Sequence, residues 1–227
     1  VRTIVTKHYD LADRLFSETD IFNNETFYEY DAGGNLLSVT DANEHKTKYE
    51  YDNMGRPIAM IDANGYRTET VYDLAGNIIK RIDPNGNAIS YKYDAIVRKT
   101  NEITQLGREI IYKYDSNGNL KKVIDANKYE VDYHYDEMNR KKLVVDANNG
   151  STCYAYDLLG NIISITDAEN KLTEFIYNDL GRLAEIKDSL IQVPDKTTIF
   201  TYDSAGNILT KTDRKGQITH YNYDKLN

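Results

Sequence analysis

The chain has 227 residues, a formal net charge of −8, and 20 Tyr and 5 Phe without a single Trp. The acidic balance disfavours nucleic acid and anionic membrane surfaces, since both need clustered Lys and Arg. No apolar run approaches the roughly 18 residues of a membrane-spanning helix, and a lone Cys153 excludes both an internal disulfide framework and a multi-thiolate metal site.

In chain order, the pair Tyr-Asp stands at Tyr9-Asp10, Tyr30-Asp31, Tyr51-Asp52, Tyr72-Asp73, Tyr93-Asp94, Tyr114-Asp115, Tyr135-Asp136 and Tyr156-Asp157, always 21 residues apart. Tyr177-Asn178 keeps the register. The next step is 25, to Tyr202-Asp203, and the last is 21 again, to Tyr223-Asp224. A fixed period of this size marks one small supersecondary unit stacked on its neighbours. The whole of 1–227 reads as a single uninterrupted repeat array.

Within each copy the first element is a strand that ends at the Tyr. Two residues before the Tyr stands another aromatic, such as Tyr28, Tyr49, Tyr91, Tyr112, Tyr133, Tyr154, Phe175 and Phe200. Two earlier still are mostly β-branched residues: Thr26, Thr47, Thr68, Ile89, Ile110, Val131, Thr152 and Thr173. Alternation of these with polar residues predicts a strand with its aromatics on one face. Tyr suits a thin, one-layer structure, because it buries a ring while its hydroxyl finds water or a partner.

A turn follows the Asp. Four residues after the Tyr stands Gly34, Gly55, Gly76, Gly118, Gly160, Gly181 or Gly206. Asp13 and Asn139 replace it in two copies, and both tolerate positive φ. Val97 does not, which predicts local distortion. A second strand comes next, for example 78–82 or 162–166. It closes in a turn such as Asp41-Ala42-Asn43 or Asp83-Pro84-Asn85-Gly86, where Asx caps and positive φ do the turning. Each repeat is therefore a β-hairpin. The chain is expected to be an all-β repeat protein, an antiparallel hairpin meander of roughly 20 strands at about 4.8 Å each.

A period of 42 lies behind the 21. Five residues after the Tyr the chain reads Arg14, Asn35, Arg56, Asn77, Arg98, Asn119, Arg140, Asn161, Arg182 and Asn207. Alternation keeps successive Arg residues apart along one sheet edge and sets each between turn carboxylates, an exposed and individually weak pairing. Duplication of a 42-residue segment accounts for the same pattern. The long step places a loop insertion at about 188–198, with Pro194 in it. Pro cannot donate to a ladder and belongs in a loop or at an edge. Tyr177 and Tyr202 are expected to stay in one aromatic row.

The pattern closely resembles the Rhs/YD-repeat family. It is clearest in TKYEYD at 47–52, YDLAGN at 72–77, YDLLGN at 156–161 and YDSAGN at 202–207. That family includes bacterial Rhs and Tc-toxin shell proteins, wall-associated proteins and teneurins. The resemblance implies a long sheet spiralling into a shell or tube, in an extracellular or cell-surface protein. It marks Tyr30, Tyr51, Tyr72, Tyr93, Tyr114, Tyr135, Tyr156, Tyr177 and Tyr202, with the turn glycines, as structural repeat positions. Nothing after Tyr202 resembles the family's aspartyl autoprotease segment, so self-release and toxicity are not expected of this chain. Both ends fall inside repeats, so it reads as a segment of a larger protein. The expected partners are further repeats of the same array through self-association, enclosed cargo, or surface glycan. Nucleic acid and membrane insertion are not expected.

Catalysis is not expected. Glycosidases use one carboxylate pair, whereas here Asp residues sit at turn positions in every repeat. Those Asp residues are spaced as turn caps rather than as calcium ligands. His8, His45, His134 and His220 share no spacing, and no zinc motif appears. Cys153 falls on the strand face opposite the aromatics, with no partner base. No cofactor or metal is expected. The Tyr rows read as cross-strand packing, with sugar stacking as the alternative. The expected role is the wall of a shell, tube or filament; the alternative is an adhesive module that binds glycan or a protein.

Overall fold

The computed structural model describes residues 5–188 and 197–224. Every described element is a strand. β1 to β7 are Thr6–Tyr9, Leu15–Thr19, Glu25–Tyr30, Leu36–Thr40, Lys46–Tyr51, Pro57–Ile61 and Arg67–Tyr72. β8 to β14 are Ile78–Ile82, Ala88–Tyr93, Lys99–Thr104, Glu109–Tyr114, Leu120–Ile124, Glu130–Tyr135 and Lys141–Val145. β15 to β21 are Ser151–Tyr156, Ile162–Thr166, Leu172–Tyr177, Leu183–Asp188, Thr197–Tyr202, Ile208–Thr212 and Ile218–His220. The chain divides into two units, Val1–Ile111 and Tyr112–Asn227. In each, successive strands pair antiparallel with the strand before and the strand after, as the sequence predicts.

Two kinds of hairpin alternate. In the hairpin that follows each Tyr-Asp, the register slips by one residue. Glu29 faces Ser38 but Tyr30 faces Leu36, which leaves Leu37 as the extra residue of a β-bulge. The same slip leaves out Phe16, Ile58, Ile79, Lys142, Ile163, Ala184 and Leu209. The other hairpins, such as β4–β5, pair without a slip. A bulge bends its strand and adds twist, so the array takes one such correction per repeat.

Little is buried. The accessible surface is 16203 Å², against roughly 10,500 Å² for a compact globule of 26.1 kDa. Among the described residues the only buried apolar side chains are Ala59 and Ile124, with Ser17, Ser38 and Thr198 as buried polar ones. In β3 the Thr26, Tyr28 and Tyr30 face is half-buried, and Phe27 and Glu29 opposite are exposed. In β13 Tyr133 and Tyr135 are half-buried and His134 is exposed. Cys153 is exposed on that same opposite face.

Of the insertion expected at about 188–198, residues 189–196 lie outside the described residues. On either side of them β18 and β19 pair in ordinary register, Glu185 with Ile199 and Lys187 with Thr197.

Candidate functional site: the tyrosine-aspartate turn row

The repeating unit of this row is a turn built on one carboxylate. The backbone N–H of Asp31 donates to the carbonyl of Asn35 at 2.9 Å, and the N–H of Gly34 donates back to the Asp31 carbonyl at 3.1 Å. The Asp31 carboxylate then accepts the Asn35 N–H at 2.8 Å and the Asn35 side-chain amide at 2.8 Å. Closing this ring requires positive φ at the fourth residue. Gly34, Gly55, Gly76, Gly118, Gly160, Gly181 and Gly206 supply it, with φ from 72° to 99°.

Val97 adopts φ 64° and makes the same two turn bonds as its glycine counterparts. The local distortion expected there does not occur. The carboxylate ring around Asp94 holds the turn shape, and the β-branched residue bears the strain.

The second turns are copies of the first. Asp62 bonds Tyr66 and Gly65 in the same pattern, and its carboxylate accepts the Tyr66 N–H at 2.9 Å. Thr104 stands in for Asp in one copy, with its hydroxyl accepting from Arg108. Asp31, Asp41, Asp52, Asp62, Asp73 and Asp83 fall at alternating steps of 10 and 11. That spacing carries the equivalence of the two turns, and a reading anchored only on Tyr-Asp misses it.

The tyrosine of each pair ties its strand to the previous repeat. Tyr30 donates its hydroxyl to the Leu15 carbonyl at 3.0 Å, and Tyr51 to Leu36 at 3.0 Å. Tyr72, Tyr93, Tyr135, Tyr156 and Tyr177 do the same to Pro57, Ile78, Leu120, Lys141 and Ile162. Leu15, Leu36, Pro57, Ile78, Lys141 and Ile162 each stand just before a bulge position, where ladder pairing is disrupted. Phe could not make this bond. Tyr114 occupies the equivalent place in β11 and is half-buried like the rest. Tyr202 donates to Leu183 at 2.6 Å, across 19 residues instead of 15. Tyr177 and Tyr202 therefore stand in one row, and the four extra residues do not disturb it.

The alternating arginines join one turn to the next. Arg56 donates through Nε to the Asp52 carboxylate at 2.7 Å and through Nη1 to the Asp73 backbone carbonyl at 3.1 Å. Its guanidinium lies 4.7 Å from the Tyr72 ring centroid. Arg14 and Arg140 repeat this on Asp10, Asp31 and Tyr30, and on Asp136, Asp157 and Tyr156. Exposed, weak pairing between turn carboxylates is the wrong description. Arg56 and Asp52 side chains are only 26% and 22% exposed, and the second contact is to a carbonyl and an aromatic face. The next carboxylate is already taken by Asn77, at 2.9 Å. Arginine therefore alternates with asparagine for a reason of geometry: one clamps across repeats, the other closes its own turn.

These bonds hold the carboxyls below their ordinary range. In the Arg copies the main cause is the backbone N–H of Arg14, Arg56, Arg98 or Arg140 on Asp10, Asp52, Asp94 or Asp136. In Asp31, Asp73, Asp115 and Asp157 it is the side-chain amide of the partner Asn. Burial raises Tyr51, Tyr135 and Tyr177.

Residues 9–44, 30–67, 114–152 and 156–190 match the RHS repeat family. The chain belongs to the RHS repeat family. Its RHS repeats are similar in fold to the crystal structure of TcdB2-TccC3 without the hypervariable C-terminal region, at TM-score 0.82 and 17% identity over 98% of this chain and 13% of that one. The structure of TcdB2-TccC3 gives TM-score 0.82 and 17% identity, over 98% of this chain and 14% of the other. The Photorhabdus luminescens Tc holotoxin pore gives 0.56 and 15%, over 95% and 16%. The chain thus spans about a seventh of the length of the solved chains it matches. A comparison with curated proteins found no match.

Proposed function

We propose that these RHS repeats are a stretch of wall, one sheet thick, in a shell, tube or filament of a larger secreted or surface protein. The arginine clamp carries this reading. Arg14, Arg56 and Arg140 each hold a carboxylate of one repeat and a carbonyl and ring of the next, so cohesion runs along the array and no repeat has a core of its own. The fold likeness to TcdB2-TccC3 supports the same reading. The partners are further repeats of the array and, in the shell form, enclosed cargo.

The role is non-catalytic. The turn carboxylates recur at every repeat and spend both oxygens on their own turns, as Asp31 and Asp73 do. Small-angle scattering tests the wall. A sheet gives a thickness near 10 Å. A radius of gyration near 17 Å, that of a compact globule of this length, would overturn the reading. A second reading, an adhesive module, is favoured by one observation: an open groove on the aromatic face with the exposed Arg81 in its lining.

A further inference from the structure

Along the aromatic face, the ring two residues before the Tyr of a Tyr-Asp pair meets an aliphatic side chain across the strand in several copies, while Tyr91 faces Glu102 and Phe200 faces Lys211. Tyr28 faces Val39, Tyr49 faces Met60, Tyr133 faces Val144 and Tyr154 faces Ile165. In β7 the ring itself is missing, and Thr70 faces Arg81. At this place lies an open groove of about 520 Å³ lined by Thr68, Thr70, Arg81, Ile89 and Tyr91, and by two carboxylates that are already engaged, Glu69 with Arg67 and Asp83 with Asn87. It continues past Thr70 to Tyr49 and Met60. The flanking rings, Tyr49 in β5 and Tyr91 in β9, are four strands apart, about 19 Å.

Arg81 is exposed. Among the described residues it has no hydrogen bond or ion pair, whereas Arg14, Arg56 and Arg140 are all clamped. On the next second strand, Glu102 is paired with Lys99. The hydroxyls of Tyr49 and Tyr91 likewise have no partner among the described residues. An unpaired guanidinium and two unpartnered tyrosine hydroxyls thus border one open groove, where a ligand with matching polar groups can satisfy them.

We infer that this groove binds an extended saccharide that carries a carboxylate. The guanidinium of Arg81 pairs with the carboxylate through charge-assisted hydrogen bonds. The faces of Tyr49 and Tyr91 pack against pyranose rings. The hydroxyls of Thr68, Thr70 and the two tyrosines serve the sugar hydroxyls. Because the chain carries a net charge of −8, general attraction for polyanions is weak, and recognition is local to Arg81. This inference gives the adhesive reading its ligand and is independent of the wall, so failure of binding leaves the scattering result untouched.

Titration calorimetry with oligogalacturonate and hyaluronan oligosaccharides tests it. At least one binds saturably at one site, and its methyl ester binds about tenfold or more weakly. Arg81→Gln lowers affinity for the acid form by about tenfold to a hundredfold without changing the melting temperature. Thr70→Tyr restores the aromatic row, abolishes binding and raises the melting temperature. Absence of saturable binding by both acids, equal binding of the ester, or unchanged affinity in Arg81→Gln would overturn the site. Equal competition by polyglutamate would overturn the saccharide class.

Discussion

At the residue scale, Arg182 shows what the clamp needs. Its Nη1 still donates to the Asp203 carbonyl at 3.2 Å, and its guanidinium still lies 4.8 Å from the Tyr202 ring centroid. But Asn178 stands where the other clamps have Asp, and the Arg182 Nε is buried without a hydrogen-bond partner. The Asn178 side-chain oxygen is occupied by the N–H groups of Leu180 and Arg182, so what remains to face Nε is a second donor. Asn178→Asp replaces that donor with a carboxylate oxygen. It is expected to stabilise the chain by about 1 kcal/mol, read as a raised melting temperature. An unchanged or lower value would mean that the clamp does not depend on its carboxylate.

At the element scale, stability lies in the Tyr rows and the turn rings. Tyr135→Phe removes the bond to the Leu120 carbonyl and is expected to cost about 1 kcal/mol. Tyr135→Ala also removes a half-buried ring, for about 3 kcal/mol in all. His134→Ala, on the exposed face of the same strand, is expected to cost about 0.5 kcal/mol or less. Urea unfolding of the three variants ranks them, and equal losses would mean that the faces are misassigned. The turns set the pH response. A carboxyl whose folded pKa lies below its unfolded value stabilises the fold above the unfolded value and loses that contribution as pH falls through the folded one. Asp31, Asp52, Asp73 and Asp136 are all depressed from an ordinary 3.8. The melting temperature is therefore expected to be flat from neutrality to about pH 5 and to drop below about pH 4. A rise in that acid range would contradict the turn-ring account.

At the scale of the whole molecule, the 227-residue chain taken by itself presents two strand edges. Among the described residues β1 pairs only with β2, and β21 only with β20. An uncovered strand edge is a template for another strand, and a repeat array with open edges needs a cap or a neighbour. The chain is expected to self-associate with rising concentration in analytical ultracentrifugation. A strictly monomeric species at high concentration, with β1 and β21 protected from amide exchange, would show that the edges are covered.

The sequence by itself determined the period, the hairpin, the strand bounds and the turn glycines. Each of these is written locally: alternation of Thr and Tyr sets strand faces, and an Asp followed three residues later by Gly closes a turn. The second strands expected at 78–82 and 162–166 fall at Ile78–Ile82 and Ile162–Thr166. What the arginines and tyrosines hold was decided only by the tertiary structure. The Asp73 carbonyl that Arg56 grips lies 17 residues away, and the Leu36 carbonyl that Tyr51 grips lies 15 away. Those distances close only once neighbouring hairpins pair and the bulge shifts their register by one residue. Val97 makes the same point from the other side. Local preference argues against its conformation, and the ring of bonds around Asp94 imposes it. The groove at Thr70 was decided in the same way, because its lining, from Thr68 to Tyr91, is gathered only when β7, β8 and β9 pair.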